Sequence, residues 1–433
     1  MYDQYKHYPY VGIFTFHKPN LIINDPDAIR EVLAKEFASF HDRGMFCNEK
    51  IDPLSGHLLF LPGKKWRNLR VKMTPTFTSG KIKQMFSILR ESSDSLSTYL
   101  KSKAEAKETI DLIYFRFSTD VIMSTAFGVT CNSLENPDNE FRRMGKRVFE
   151  PKPIRNSIFI FAPKIFDSLC LPYTEKAVTN FFTKVFKDMV NYRELNNVDR
   201  KDFLDLLMQL MKNGYVEPDE NGEDTVEETT AQAYIFFLAG FETSSTSTSF
   251  CFYELALHQD MQDKLRKEIL TVLQKHGELT YNAVCEMSYL HKIVSETMRK
   301  YPAVAMLTRV TTKEVQLPSS KAVLPEGVLI TIPVFGMHRD PSIYPNPEKF
   351  DPERFSPENI ASRHPYTYLP FGEGPRICIG LRFGLMQVKI AIISVLSKYR
   401  LKPSPDTPNS IVYEKGSFLT MPVGGLPLTI ELV

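Results

Sequence analysis

Apolar residues along most of this chain recur at intervals of three and four, the spacing of one helical face, whereas strand-like alternation is confined to short stretches. Asp25-Pro26 stands ahead of Ala28-Ile-Arg-Glu-Val-Leu-Ala34 as an N-cap and a first-turn proline, so a helix opens there. A second helix is expected after Pro62-Gly63, carrying Trp66 and Arg70 four residues apart on one face. Helical spacing continues through 81–128, 138–150, 174–195 and 202–212. The polar stretch Asn213 to Asp224, with two glycines and a proline, predicts an exposed loop. Thr225-Val-Glu-Glu228 then fits a capping box, and the longest helical run follows, to about Leu273. Its length predicts a break near Leu257–Asp260. Two more helices are expected near 280–285 and 288–300, the second ending before Tyr301-Pro302 because proline disfavours helix in the residue ahead of it.

Between 305 and 336 the pattern changes, with β-branched residues alternating around Leu324-Pro-Glu-Gly327, a turn signal between two short strands. Residues 338–376 are proline-rich and predict irregular structure, and a last helix covers 380–397. At the end, Gly416-Ser-Phe-Leu-Thr420 and Leu426-Pro-Leu-Thr-Ile-Glu431 flank Gly424-Gly425 as the arms of a β hairpin would. The pattern as a whole predicts a mainly α protein with a minor β region and no internal repeats.

Composition narrows this little. At 433 residues, with 43% apolar and 24% charged residues, the chain can bury a large core, and disorder is not expected to dominate. A formal charge of +2, without zinc-finger or phosphate-loop spacing, gives no reason to expect nucleic-acid binding. The six cysteines lack any C-x-x-C pair and do not read as a disulfide framework, so most are expected to be small buried hydrophobes. No apolar run approaches the roughly 18 residues that span a bilayer, and Met1-Tyr-Asp-Gln-Tyr-Lys6 is not a signal peptide.

Three constellations carry candidate chemistry. In Phe371-Gly-Glu-Gly-Pro-Arg-Ile-Cys-Ile-Gly380, Gly372 and Gly374 permit a tight bend and close approach to a flat ligand. The helix after Cys378 would aim its free N–H groups at the sulfur, favouring thiolate over thiol, and Arg376 could reach an anion. The plainer alternative is a structural cysteine beside a glycine turn. Glu296-Thr-Met-Arg299 puts opposite charges three residues apart on an apolar helix, a pair that Arg354 of Asp351-Pro-Glu-Arg-Phe355 could complete if it is buried. Ala239-Gly-Phe-Glu-Thr243 places Glu242 and Thr243 in an oily helix, where Gly240 could leave room for a ligand and the polar pair could deliver protons. Equally, Gly240 could be a helix-packing glycine and Thr243 could bond back to its own carbonyl ladder.

Taken together, in this order and spacing, these residues resemble the cytochrome P450 family from about Tyr8 to Val433. Trp66-Arg-Asn-Leu-Arg70 and Pro352-Glu-Arg-Phe355 belong to the same likeness. Pro75-Thr-Phe-Thr-Ser-Gly80 and Phe40-His-Asp-Arg-Gly44 look most like the microsomal branch and its insect xenobiotic-metabolising members. The resemblance implies the P450 fold, a helical haem-binding bundle with small β-sheets, built as one catalytic domain over 1–433. It implies haem b with Cys378 as thiolate ligand, the role in which the handling of oxygen by this family is understood. Phe371, Gly372 and Gly380 would shape the loop around the haem, and Trp66, Arg70, Arg309 and Arg376 would hold its propionates. Glu242 and Thr243 would relay protons on the distal side, while Glu296, Arg299 and Arg354 would be structural.

The implied activity is insertion of one oxygen atom from O2 into lipophilic small molecules. The segments 43–60, 149–161, 236–243, 303–306 and 418–419 would shape the substrate space. Two other readings are a haem-thiolate isomerase or dehydratase acting on peroxides, and a non-catalytic haem or lipophile binder. Electrons would come from NADPH through cytochrome P450 reductase, a separate partner because the chain has no G-x-G-x-x-G, with cytochrome b5 as a second possible donor. Lys64, Lys65, Arg67, Lys72 and Arg382 would form a basic docking face. Relatives of this branch begin with a membrane anchor and a proline-rich hinge that these residues do not include, which points to an incomplete sequence and to the endoplasmic reticulum membrane.

Overall fold

The structure, a computed structural model, describes residues 2–15, 18–106, 109–111, 117–136, 138–212, 226–317 and 320–433. The expected loop at 213–224 and the cap at Thr225 lie outside the described residues. Around the first helical turn the local chemistry is as the sequence predicts. Asp25 accepts from the Ala28 N–H and Pro26 opens the helix Pro26–Arg30.

The longer helices, in chain order, are α1 (Gly63–Met73), α2 (Phe86–Glu105), α3 (Phe117–Ala126), α4 (Glu140–Phe149), α5 (Pro153–Phe161), α6 (Lys164–Ser168), α7 (Lys176–Asn196), α8 (Phe203–Lys212), α9 (Val226–Leu257), α10 (Gln259–His276), α11 (Tyr281–Glu286), α12 (Ser288–Lys300) and α13 (Leu381–Leu396). The core is built round α9 and α13. Helix α13 is apolar on nearly every face, as a helix surrounded by others must be. Helix α9 is buried on most faces even along its polar run Ser244–Ser249, and α2, α3, α10 and α12 pack round both. The expected break between α9 and α10 falls at His258, whose backbone leaves the helical region. Helix α12 stops at Tyr301, ahead of Pro302.

The β component is larger than the sequence pattern suggests. Strands β1 (Tyr10–Thr15), β2 (Lys18–Ile23), β4 (Leu307–Val310) and β7 (Leu329–Ile332) form one sheet in the order β1-β2-β7-β4, with β2 parallel to β7 and the other pairs antiparallel. Strands β5 (Val315–Gln316) and β6 (Val323–Leu324) pair on their own, so the turn ending at Gly327 (φ +88°) joins strands of different sheets.

The expected C-terminal hairpin does not form. Strand β9 (Pro427–Leu432) lies between β3 (Thr109–Asp111) and β8 (Tyr399–Pro403), antiparallel to both. Leu428 and Ile430 thereby reach the main core, and a hairpin with 416–420 would have left β3 and β8 without their central strand. Among the described residues, the strand-like pairing of 416–420 is limited to a bridge from Leu419 to Val304. The cysteines depart from expectation too. All six are free, but only Cys251 is buried, with Cys170, Cys285 and Cys378 exposed.

Candidate functional site

Cys378 lies at the end of a loop held mostly by its own backbone. Gly372 N–H donates to Leu369 O at 3.1 Å, Ile377 N–H to Gly374 O at 3.0 Å, and Cys378 N–H to Phe371 O at 3.0 Å. Gly374 has φ +75°, and a Cβ there would come within 1.9 Å of Leu33 O, so this glycine is fixed both by conformation and by a close approach. Gly372 shares the left-handed conformation and faces Leu307 of β4. At Gly380 a Cβ would meet nothing within 4 Å, which leaves the surface beside the sulfur clear. Phe371 packs its ring against the main core.

The Cys378 sulfur is deep within the protein yet its surface is accessible, so it faces an interior space. Burial pushes its pKa up, and the Gly380 N–H, Arg70 and Arg43 pull the other way without winning. The expected help from the backbone N–H and from nearby cations is present, but burial of the sulfur opposes it. Desolvation of the buried sulfur is the largest influence, and the Gly380 N–H and the two arginines act against it.

Four arginines converge here. Arg309 on β4 and Arg376 in the cysteine loop are almost wholly buried, Arg70 on α1 is half-buried, and Arg43 precedes the turn at Gly44. The Arg376 guanidinium lies 4.0 Å from the Trp66 ring, donates to His41 O and Leu61 O at 2.8 and 2.9 Å, and reaches Asp42 at 3.3 Å. Arg43 donates to Arg376 O at 3.1 Å. Among the described residues, Asp42 is the one carboxylate in ion-pair contact with these four, and it also accepts from the Gly63 N–H at the start of α1. Burial first, then neighbouring arginines, lower the pKa of Arg376 to about 9 and that of Arg309 well below its usual value. For Arg43 burial is again the main cause, with Arg70 adding to it and Cys378 opposing, and the pKa falls to about 10. Arg43 Nε, Arg309 Nε and Arg376 Nη1 are buried without acceptors.

This arrangement fits a haem. Three orphaned N–H donors in a cluster short of negative charge would suit a pair of carboxylates, and the accessible sulfur would suit an iron ligand. The sequence-predicted Trp66, Arg70, Arg309, Arg376, Phe371, Gly372, Cys378 and Gly380 therefore lie in one neighbourhood. Arg43 and Asp42 were missed as site residues. The signal was present in the Phe40-His-Asp-Arg-Gly44 run, but nothing local says that its charges are buried.

Helix α9 behaves differently from expectation. A Cβ on Gly240 would come within 2.2 Å of the Ile122 side chain of α3, so this glycine makes room for a neighbouring helix and not for a ligand. The residue that opens a space is Ala239, exposed midway along a buried helix. The Thr243 hydroxyl donates to Ala239 O, within its own helix. Glu242 is buried, and its pKa is raised to about 7 by burial, with Arg142 and Lys146 of α4 pulling it back.

Elsewhere the expected pair is found. Glu296 and Arg299 are fully buried and joined by two hydrogen bonds of 2.8 Å, with Arg354 Nε 3.4 Å from the same carboxylate. Several of the expected substrate segments meet in an aromatic cluster of Phe46, Phe60, Phe159, Phe166, Tyr173 and Phe418. Phe236 is not part of it, since its ring sits 3.8 Å from Phe203 and 5.0 Å from Phe77.

Comparison with known proteins agrees with this geometry. The family described as Cytochrome P450 matches residues 1–428. "Probable cytochrome P450 6a13" of Drosophila melanogaster is 44% identical over 427 residues, covering 98% of this chain and 85% of the relative. "Cytochrome P450 6A1" of Musca domestica is 41% identical over 98% of this chain and 85% of its own length. "Cytochrome P450 6k1" of Blattella germanica is 40% identical over 99% and 86%.

Proposed function

The chain belongs to the cytochrome P450 family, and from that premise we propose how its own residues divide the work of a haem-thiolate monooxygenase. Members of the family insert one atom of O2 into lipophilic small molecules, using haem b bound through a cysteine thiolate, and this chain is such an enzyme. When bound, the haem supplies the iron at which dioxygen is activated. Residues 1–433 act as one catalytic domain. Cys378 would hold the iron as its thiolate, with Gly380 leaving its face of the loop open and its N–H directed at the sulfur. Arg43, Arg70, Arg309, Arg376 and the Trp66 indole would hold the propionates, Arg376 already being oriented by the Trp66 ring.

On α9, Glu242 can hold or release a proton at neutral pH, because burial places its pKa near 7. The Thr243 hydroxyl retains oxygen lone pairs while donating to Ala239 O, and it passes a proton on when that internal bond is exchanged. A carboxyl group tuned in this way favours dioxygen chemistry over peroxide rearrangement, which needs no proton supply. The aromatic cluster round Phe159 and Phe418 favours lipophilic substrates.

Electrons reach the site from NADPH through cytochrome P450 reductase, with cytochrome b5 as a second donor. Lys64, Lys65, Arg67 and Arg382 are exposed and suit an acidic partner, although Lys65 also pairs with Glu49 at 2.9 Å. Among the described residues no helix is long and apolar enough to cross a membrane. Attachment to the endoplasmic reticulum surface is supported instead by exposed Ile154, Ile165, Leu169 and Leu171 round α5 and α6.

The observation that carries the reading is the cluster of buried arginines with orphaned donors beside an accessible cysteine. It is tested by titrating haem-free protein with haem and with its dimethyl ester, which lacks the propionate charges. The free acid is expected to bind at least about tenfold more tightly, from the loss of charge-assisted hydrogen bonds. Equal affinity would rule out the arginine cluster as the propionate site.

A further inference from the structure

His338 is a fully buried histidine that no part of the proposed chemistry uses. It lies between α12 and the segment that enters the cysteine loop, and it is bonded at both ring nitrogens. Leu369 N–H donates to Nε2 at 2.9 Å. A backbone N–H can only donate, so Nε2 must be unprotonated, and the ring proton sits on Nδ1. Nδ1 is 3.1 Å from Arg299 O, to which it donates. In return, Arg299 Nη1 donates to His338 O at 2.9 Å.

The ring is also held in place from its faces. Tyr368 stacks on it at 5.5 Å with its hydroxyl fixed to Ser295 O, and Tyr344 meets it edge-on with its hydroxyl on Thr367 O. The groups facing it are Arg299 and Glu296 from α12, Arg339 from its own segment, and the two tyrosines. Burial and the two arginines keep the imidazole neutral, with a pKa lowered to about 3.

Beyond the imidazole the contacts run on to the sulfur. Leu369 O accepts from Gly372 N–H, and Phe371 O accepts from Cys378 N–H. We propose that His338 is a positioning residue for Cys378, a neutral clamp that fixes the start of the cysteine loop to the buried Glu296–Arg299 helix. The pair on α12 sets the backbone of Arg299, the imidazole transmits that position to Leu369, and the loop's own bonds carry it to the cysteine. Without the ring, Leu369 N–H is a buried donor with no partner, and the loop gains freedom at its first residue.

The proposal rests on Cys378 being the iron ligand, and its test separates the two claims. His338→Gln can still present an acceptor at the Nε2 position. His338→Asn reaches only the Nδ1 position, and His338→Phe keeps the packing but neither bond. Amide hydrogen exchange is measured on the haem-loaded proteins, together with the fraction of haem giving the thiolate-type band in the reduced carbon-monoxide complex. In the Asn and Phe variants, exchange at 369–378 is expected to rise by roughly 5- to 150-fold relative to the rest of the protein. The thiolate-type fraction should fall with it, and Gln should recover most of both. Exchange that rises uniformly, or a loop that stays protected in His338→Asn, would overturn the clamp. If the exchange pattern appears but the band is absent even in the unaltered protein, the clamp stands as a loop restraint and Cys378 as ligand fails.

Discussion

Glu296, Arg299 and Arg354 form one cluster of buried charge, and Arg43, Arg70, Arg309 and Arg376 form another. In the first, the carboxylate meets two guanidinium groups and the Asp351 N–H, and Arg299 spends a further donor on His338 O. In the second, four cations face one aspartate, and three buried N–H groups have no acceptor. Burial costs both clusters desolvation, but the first, in which Arg354 Nε is the one buried donor without an acceptor among the described residues, offsets far more of it within the chain. A balanced cluster of this kind builds structure. An unbalanced one, kept in the same fold, suits a ligand of opposite charge, which on the proposed reading is the pair of carboxylates of a haem.

The comparison is broken most severely at the balanced cluster. Arg299→Met leaves Glu296 buried with only Arg354 nearby, and should cost about 3–5 kcal/mol. Denaturant unfolding of the haem-free protein would read that loss. Arg309→Met should have the opposite sign in the same assay, stabilising the haem-free protein by about 1–3 kcal/mol, because it removes an uncompensated buried cation. In the loaded protein the same substitution should speed haem loss by roughly tenfold or more, since a charge-assisted bond is gone. If both substitutions destabilised the haem-free protein equally, the distinction between the clusters would collapse.

A smaller effect sharpens the contrast with the distal helix. Glu242 has its folded pKa raised to about 7 from an ordinary 4.5, so between those values the folded protein holds more protons than the unfolded chain. Its contribution is therefore fully present below about pH 4.5 and is lost as pH rises towards 7. Unfolding measured across that window should show a downward slope in the parent protein that Glu242→Gln flattens. An unchanged slope would mean that Arg142 and Lys146 hold the carboxylate ionised throughout.

Much of this was legible in the residues. Most helix positions followed from periodicity and caps, and the break near His258 from length alone. Strand β3, however, interrupts the run expected over 81–128, and α5 and α6 were not foreseen. The residues gathered round Cys378 could be named because they stand in recognisable runs. What the sequence could not convey was burial and partnership between distant segments. Strand β9 pairs with β3 and β8, neither of which announces itself, so the neighbouring Gly424-Gly425 turn suggested a hairpin that does not exist. Gly240 looked like space for a ligand because Ile122, which fills that space, is more than a hundred residues away. Arg43 and Asp42 carry no mark that they are part of the site until β4 and α1 close over them. The depth of the Cys378 sulfur, which opposes the thiolate-favouring N–H and arginines, is likewise not written locally.

The central claim, that Cys378 binds haem iron as a thiolate, is tested most directly by the absorption spectrum of the reduced, carbon-monoxide-bound protein. The parent protein should give the strongly red-shifted main band of thiolate-ligated haem, and Cys378→Ala, loaded with haem, should not. A folded, haem-loaded parent without that band, or a Cys378→Ala variant that keeps it, would contradict the account.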